Sequence, residues 1–239
     1  SSTSFLSSYY TQYVPNENNI AYPSLQETAY VTVSTEVKDV FMGINRTPSA
    51  HRSLLNDRVI WDIWGAVPAT LATRFAGLKS MLDIAKGLRI NDLVVVAHIW
   101  QRYGFDCGFP THFPANPLYG GNQGFAEVGA TAAAYGYLFA AHENYYDMYP
   151  NSPDWNTGVL GKDNNGALVQ AWNNTNCVSP ASVDPQFPST FQSYLIASDK
   201  RLGFASVQSP LIKNTFQTTA AFHDVVTNTT FRSLIDYAS

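Results

Sequence analysis

Charge is what this chain has least of. Only 13% of its 239 residues are Asp, Glu, Lys or Arg, about half the usual share. Solubility therefore rests on Asn, Ser, Thr and Tyr. A net charge of -4 and a pI near 5.6 leave no basic patch, which argues against nucleic acid or an anionic membrane as partner. No apolar run approaches the roughly 20 residues of a membrane span. Cysteine is nearly absent too. Cys107 and Cys177 are the two present; they can form one disulfide in an oxidising compartment or stand as free thiols, and spacing leaves both open. Neither G-x-G-x-x-G nor G-x-x-x-x-G-K-S/T follows a strand, so the standard nucleotide-binding modes are not expected. The G-x-S-x-G elbow of serine hydrolases is missing as well. His98, His142 and His223 come from separate strands without H-x-H or H-x-x-x-H spacing, so neither a metal site nor a cofactor is expected.

What is there begins with aliphatic and aromatic content. Hydrophobic residues make up 45% of the chain, enough for a sizeable core in one large domain or two small ones. The first 19 residues carry neither a basic n-region nor an apolar h-region and read as a mature or trimmed start. Sequons stand at Asn45, Asn173 and Asn228. With the low charge, they lean toward a secreted or cell-surface glycoprotein.

Residues 1–57 differ from the rest. Segments 29–33 and 36–42 are β-branched and alternating, and predict a β-rich lead-in. From Arg58 the pattern turns to strand, helix, strand, helix over 58–239. Strands are expected at 59–63, 93–99, 137–141 and 218–225. Helices are expected from Pro68 to the stop at Gly87, over 125–135, and over 188–200, with a short extra segment at 204–207. LVVVAHI is apolar nearly throughout, as a parallel strand covered on both faces is. The segment 151–187 is too long for an ordinary connection and reads as an excursion at a ligand-binding face. The fold class implied is α/β: about four β-α units of a (β/α)8-barrel-like domain, or a small doubly wound sheet.

The chemistry gathers where those strands end. Apolar runs empty into Asp62 and Trp64; into His98, Trp100, Gln101 and Asp106; into His142, Glu143, Asn144 and Asp147; and into His223 and Asp224. The C-terminal ends of parallel strands are where ligands bind in α/β folds. Carboxylates, imidazoles and aromatic faces together suit a sugar: rings stack on C–H faces, polar groups bond hydroxyls, and a carboxylate meets the anomeric carbon. Each also has a structural reading, since Trp61, Trp64 and Trp100 suit a core and His98 and His142 suit buried, bonded roles.

The run FAAHENYYDMYPNSPDW resembles the strand and loop of endo-α-N-acetylgalactosaminidases and their exo-acting relatives, and TTAAFHDV resembles the strand bearing their catalytic aspartate. The resemblance spans about 58–236. It implies a retaining glycosidase with Asp224 as nucleophile and His142 and Asn144 touching the sugar. Asp62, Trp100 and Asp106 are further substrate-binding candidates by their strand-end positions. A glycan carrying α-linked N-acetylgalactosamine would be the substrate. A retaining enzyme needs a second carboxyl about 5–5.5 Å from the first. It is expected beyond Ser239, in a further segment or chain that completes the barrel, with Glu143 as the internal substitute. A non-catalytic glycan-binding or surface-assembly protein is the alternative.

Overall fold

In the computed structural model of the chain, the described residues are 33–36, 50–64, 75–104, 106–163, 165–174 and 191–225. The chain divides into two compact units, 1–50 and 51–237. Most of the first, including nearly all of the expected β-rich lead-in, lies outside the described residues, as do Asn45, Cys177 and Asn228. The second unit holds every strand and helix described below.

Its elements alternate as strand and helix. After a short helix α1 (Arg52–Leu55) come β1 (Val59–Ile63), α2 (Phe75–Gly87), β2 (Leu93–Ala97), α3 (Gly121–Ala134), β3 (Leu138–Glu143), β4 (Asp147–Met148), β5 (Gln170–Asn174), β6 (Phe191–Leu195), α4 (Ser198–Phe216) and β7 (Ala220–His223). Strands β1, β2, β3 and β7 form one parallel sheet in that order. Because the strands run parallel, their C-terminal ends share one rim, and the register aligns Asp62 with Val96, Val96 with Ala140, and His142 with Phe222.

Alternation sorts the side chains into two layers. Leu93, Val95, Ala97, Phe139 and Ala141 face a helical layer made by Leu78 and Leu82 of α2, Phe125 and Val128 of α3, and Ile212 and Phe216 of α4. Val94, Val96 and Ala140 face the other way, with Leu138, Ala220 and Phe222 packed against them. Both faces of β2 are therefore buried, which is why its sequence shows no alternation.

The edges differ from the centre. Val59 and Ile60 on β1 are 63% and 67% exposed. They join Trp61, Met81, Ile84 and Leu88 in an apolar groove of about 670 Å³ along the β1 edge. An uncovered apolar sheet edge is a surface that folded proteins generally cover.

The excursion after β3 is not a structureless loop. It holds a separate antiparallel sheet in the order β4-β6-β5, with Asp147 opposite Leu195 and Gln170 opposite Tyr194. The helix expected over 188–200 is corrected accordingly: 191–195 is strand β6, and the helix begins at Ser198. FQSYL alternates, placing Ser193 in a buried site beside Trp172, whose N–H donates to Ser193 Oγ. Helix α4 then runs through the expected short segment to Phe216 despite Pro210. Its buried residues, Gln208, Ile212 and Phe216, recur every four positions on a single narrow stripe.

Helices α3 and α4 touch at Gly129. A Cβ there would lie 1.9 Å from the Phe216 carbonyl oxygen. The neighbour is backbone and cannot swing away. Gly129→Ala is expected to destabilise the unit by about 3 kcal/mol, read as a lower midpoint in denaturant at unchanged m-value.

Candidate active site at the strand ends

Four strand ends meet in two Asp–His pairs. On β1, Asp62 Oδ1 lies 2.5 Å from His98 Nε2, just past the end of β2. Trp64 stacks on the His98 ring at 3.8 Å and donates from Nε1 to Asp62 Oδ2 at 2.9 Å. On β3, His142 Nε2 lies 3.2 Å from Asp224 Oδ2 at the end of β7. The two imidazole rings are 5.0 Å apart, and Phe222 packs edge-on against His98 and flat against His142. The pairs thus stand side by side at the rim. Both histidines are buried, whereas the Asp62 and Asp224 side chains keep 47% and 29% of their surface. What solvent or a ligand reaches is carboxylate, backed by imidazole.

The electrostatics arise from that burial. The His142 hydrogen bond holds the Asp224 carboxyl below the usual aspartate range, against the opposing effect of burial. Asp224 Oδ1 also accepts from the Val225 N–H at 2.9 Å. Burial, and then His142, push the His98 imidazole down. Asp106 sits in the loop after β2 with φ +51, a left-handed conformation uncommon outside glycine. Burial pushes its carboxyl up to about 8, with Asp147 and Asp224 adding to the rise. Asp147 is wholly buried and pushed up to about 6, again chiefly by burial. Asp106 is therefore neutral at pH 7 while Asp224 is ionised.

Some expected roles change. Trp100 is fully buried, stacked flat on Phe125 at 5.2 Å, and donates from Nε1 to the His142 carbonyl. It is a core residue that anchors β3 and not a sugar platform. Asn144 is buried as well, and its amide works within the chain: Nδ2 donates to Asp147 Oδ1 and Oδ1 accepts from the Tyr146 N–H. It shapes the turn that carries Asp147. His142 is also fully buried, and its ring nitrogens meet Asp224 and Gln101. Glu143, the internal substitute for the second carboxyl, points into the helical layer. Tyr145 Oη and Ser209 Oγ both donate to its Oε2. His223 lies on that same face, against Tyr145. Glu143 is buried, and His223 is exposed at the end of β7.

Three buried groups support the pairs without being site candidates by sequence. Gln101 bonds His142, Asp147 receives Asn144, and His112 Nε2 accepts from the Asn144 N–H at 2.7 Å. Gln101 and Asp147 stand among the polar residues at the strand ends, so their type and place are a signal. His112 has none, since it lies in the Gly/Pro-rich loop after β2. Asn173 lies exposed on β5. Cys107 is disulfide-bonded.

Compared with known proteins, the chain matches no family model and no curated sequence. Solved structures do match. The α-N-acetylgalactosaminidase NagBb from Bifidobacterium bifidum aligns in its GalNAc complex at TM-score 0.58 and 17% identity, over 73% of this chain and 28% of that one. Its Gal-NHAc-DNJ complex gives 0.57 and 15%, over 72% and 28%. The noncanonic maltogenic α-amylase AmyB from Thermotoga neapolitana gives 0.50 and 12%, over 72% and 40%. The likeness is one of fold. The four parallel strands and their helices have the arrangement of part of a (β/α)8 barrel. The chain spans less than a third of the length of NagBb. No helix among the described residues is long and apolar enough to cross a membrane.

Proposed function

We propose that this chain carries the nucleophile half of a retaining glycoside hydrolase acting on α-linked N-acetylgalactosamine or a related glycan. One observation carries the reading: Asp224, at the rim of the parallel sheet, is partly exposed, ionised and oriented by a buried histidine. A carboxylate so held suits attack on an anomeric carbon. Asp106, its carboxyl pushed up to about 8 by burial and by Asp147 and Asp224, lies close by, and Asp62 has acceptor oxygens at the rim. Trp64, 53% exposed, brings an indole to that rim. The acid/base carboxyl comes from further β-α units that complete the barrel. The apolar groove along β1 supports such a closure. The disulfide at Cys107 supports an oxidising compartment, hence a secreted or surface location.

In the first step an Asp224 oxygen bonds to C1 as the bond from C1 to the leaving group breaks, and the leaving group departs with the electron pair. Fluoride leaves without a proton, so an α-N-acetylgalactosaminyl fluoride tests Asp224 apart from the acid. After incubation and digestion, the peptide containing Asp224 is expected to gain the mass of one N-acetylhexosaminyl group. The adduct must be missing from Asp224→Asn. Release of sugar with inverted configuration, or sugar binding with no adduct and no fluoride release, would sink the reading and favour a glycan-binding protein.

A further inference from the structure

The His142–Asp224 contact has a direction, and a residue behind His142 sets it. Gln101 is fully buried. Its Oε1 accepts from the Trp100 N–H at 3.2 Å. Its Nε2 faces two atoms of His142, the ring Nδ1 at 3.0 Å and the backbone oxygen at 3.1 Å. An amide nitrogen has two hydrogens and no lone pair to give. Turning the amide over would set Oε1 against a carbonyl oxygen and Nε2 against a backbone N–H. The two backbone contacts therefore agree on one orientation, which answers for this glutamine the usual ambiguity of amide flips. With both hydrogens of Nε2 spent on His142, the ring Nδ1 must accept. A proton on Nδ1 would meet the amide N–H head-on. The imidazole proton sits on Nε2, the nitrogen that faces Asp224 Oδ2.

We infer that Gln101 is a positioning residue for Asp224, acting through His142: it holds the imidazole in the Nε2–H tautomer, so that histidine donates to the carboxylate. The other tautomer would put a lone pair against a negative oxygen and turn Asp224 away. A histidine's second nitrogen commonly has its role set by the partner of the first. Here that partner is a neutral amide, which can donate where a carboxylate could only accept. The backbone is tied by the same group, since Gln101 Nε2 and Trp100 Nε1 both donate to the His142 carbonyl. Ring orientation and strand end are thus held together.

The tautomer stands independently of the hydrolase reading; its catalytic value rests on that reading. Two-bond 1H–15N spectra of 15N-histidine protein read it directly, with His142 assigned by its loss in His142→Phe. The unsubstituted protein is expected to show a protonated Nε2 and a bare Nδ1. Gln101→Glu, which can only accept when ionised, is expected to pull a proton onto Nδ1. Gln101→Met, which offers no donor, is expected to leave both tautomers populated. With an α-N-acetylgalactosaminyl fluoride, Gln101→Met should slow the first release of fluoride up to about a hundredfold with the concentration for half-saturation nearly unchanged. A protonated Nδ1 in the unsubstituted protein overturns the inference even if both variants fail to fold. So does a His142 signature that neither folded variant alters. Absence of fluoride release and of adduct, with the expected spectra, would overturn the hydrolase reading and leave the tautomer in place.

Discussion

Asp224→Asn is expected to lower the release of fluoride from an α-N-acetylgalactosaminyl fluoride by roughly 10⁴-fold, the scale on which enzymes lose activity with their nucleophile. The substitution is nearly isosteric. In the aspartate, His142 Nε2 and the Val225 N–H reach different oxygens, so the single asparagine oxygen keeps one of the two bonds. Circular dichroism and a melting curve separate lost chemistry from lost structure. The pH profile adds a second check. The Asp224 carboxyl is held below 3.8, first by the His142 hydrogen bond. It stays ionised down to acid pH, and the acid limb of turnover is expected below that value. His142→Phe removes the bond and should carry the limb upward. Asp224 also adds stability above the unfolded aspartate pKa, lost as pH falls through its depressed value. Turnover that survives in Asp224→Asn at more than a tenth of the starting rate would rule it out as nucleophile.

Stability should fall as pH rises from about 4 to about 8, and Asp106→Asn should remove much of that fall. The folded state holds the Asp106 proton up to about 8, whereas the unfolded chain releases it near 3.8. Within that window unfolding releases a proton, so each step up in pH favours the unfolded state. Above about 8 both states are ionised and the cost levels off. Asp147, pushed up to about 6, adds the same sign over a narrower window. Asparagine cannot ionise, and it tolerates the left-handed φ at this position. Asp106→Asn is therefore expected to gain on the unsubstituted protein by a few kcal/mol at pH 8 and to converge with it near pH 4. Urea midpoints at pH 4, 6 and 8 measure this. Parallel pH dependences of the two proteins would show that Asp106 titrates normally.

The central parallel strands are readable in the sequence because burial on both faces leaves a plain mark: LVVVA and LFAA are apolar runs between polar ones. Helix α4 is not, because its core contact is one residue per turn, and Gly203 and Pro210 break the local propensity that would otherwise announce it. The β6 strand is hidden for a different reason. Its partners, β4 and β5, are distant in sequence, and the alternation of FQSYL is only five residues long. At the site, composition and strand-end position name Asp224, His142 and Asp62 but do not say which way each side chain points. The apolar run alone ends strand three at Ala141. The strand continues to Glu143, so His142 and Glu143 are strand residues on opposite faces rather than neighbours in one loop. Trp100 is ambiguous from sequence because an indole serves a core and a sugar equally well; the Phe125 stack and the bond to the His142 carbonyl decide it.

The strict alternation of β3 makes its chemistry vulnerable to a kind of change that ordinary substitutions do not produce. Loss of a single codon between Leu138 and Ala141 would leave an apolar strand of almost the same composition and would exchange the two sides beyond it. Glu143 would arrive at the rim beside Asp224, and His142 would enter the helical layer opposite Ser209. Two carboxylates would then meet where one imidazole now stands. Homologous genes that tolerate many amino-acid replacements in this strand should thus be intolerant of length change within it.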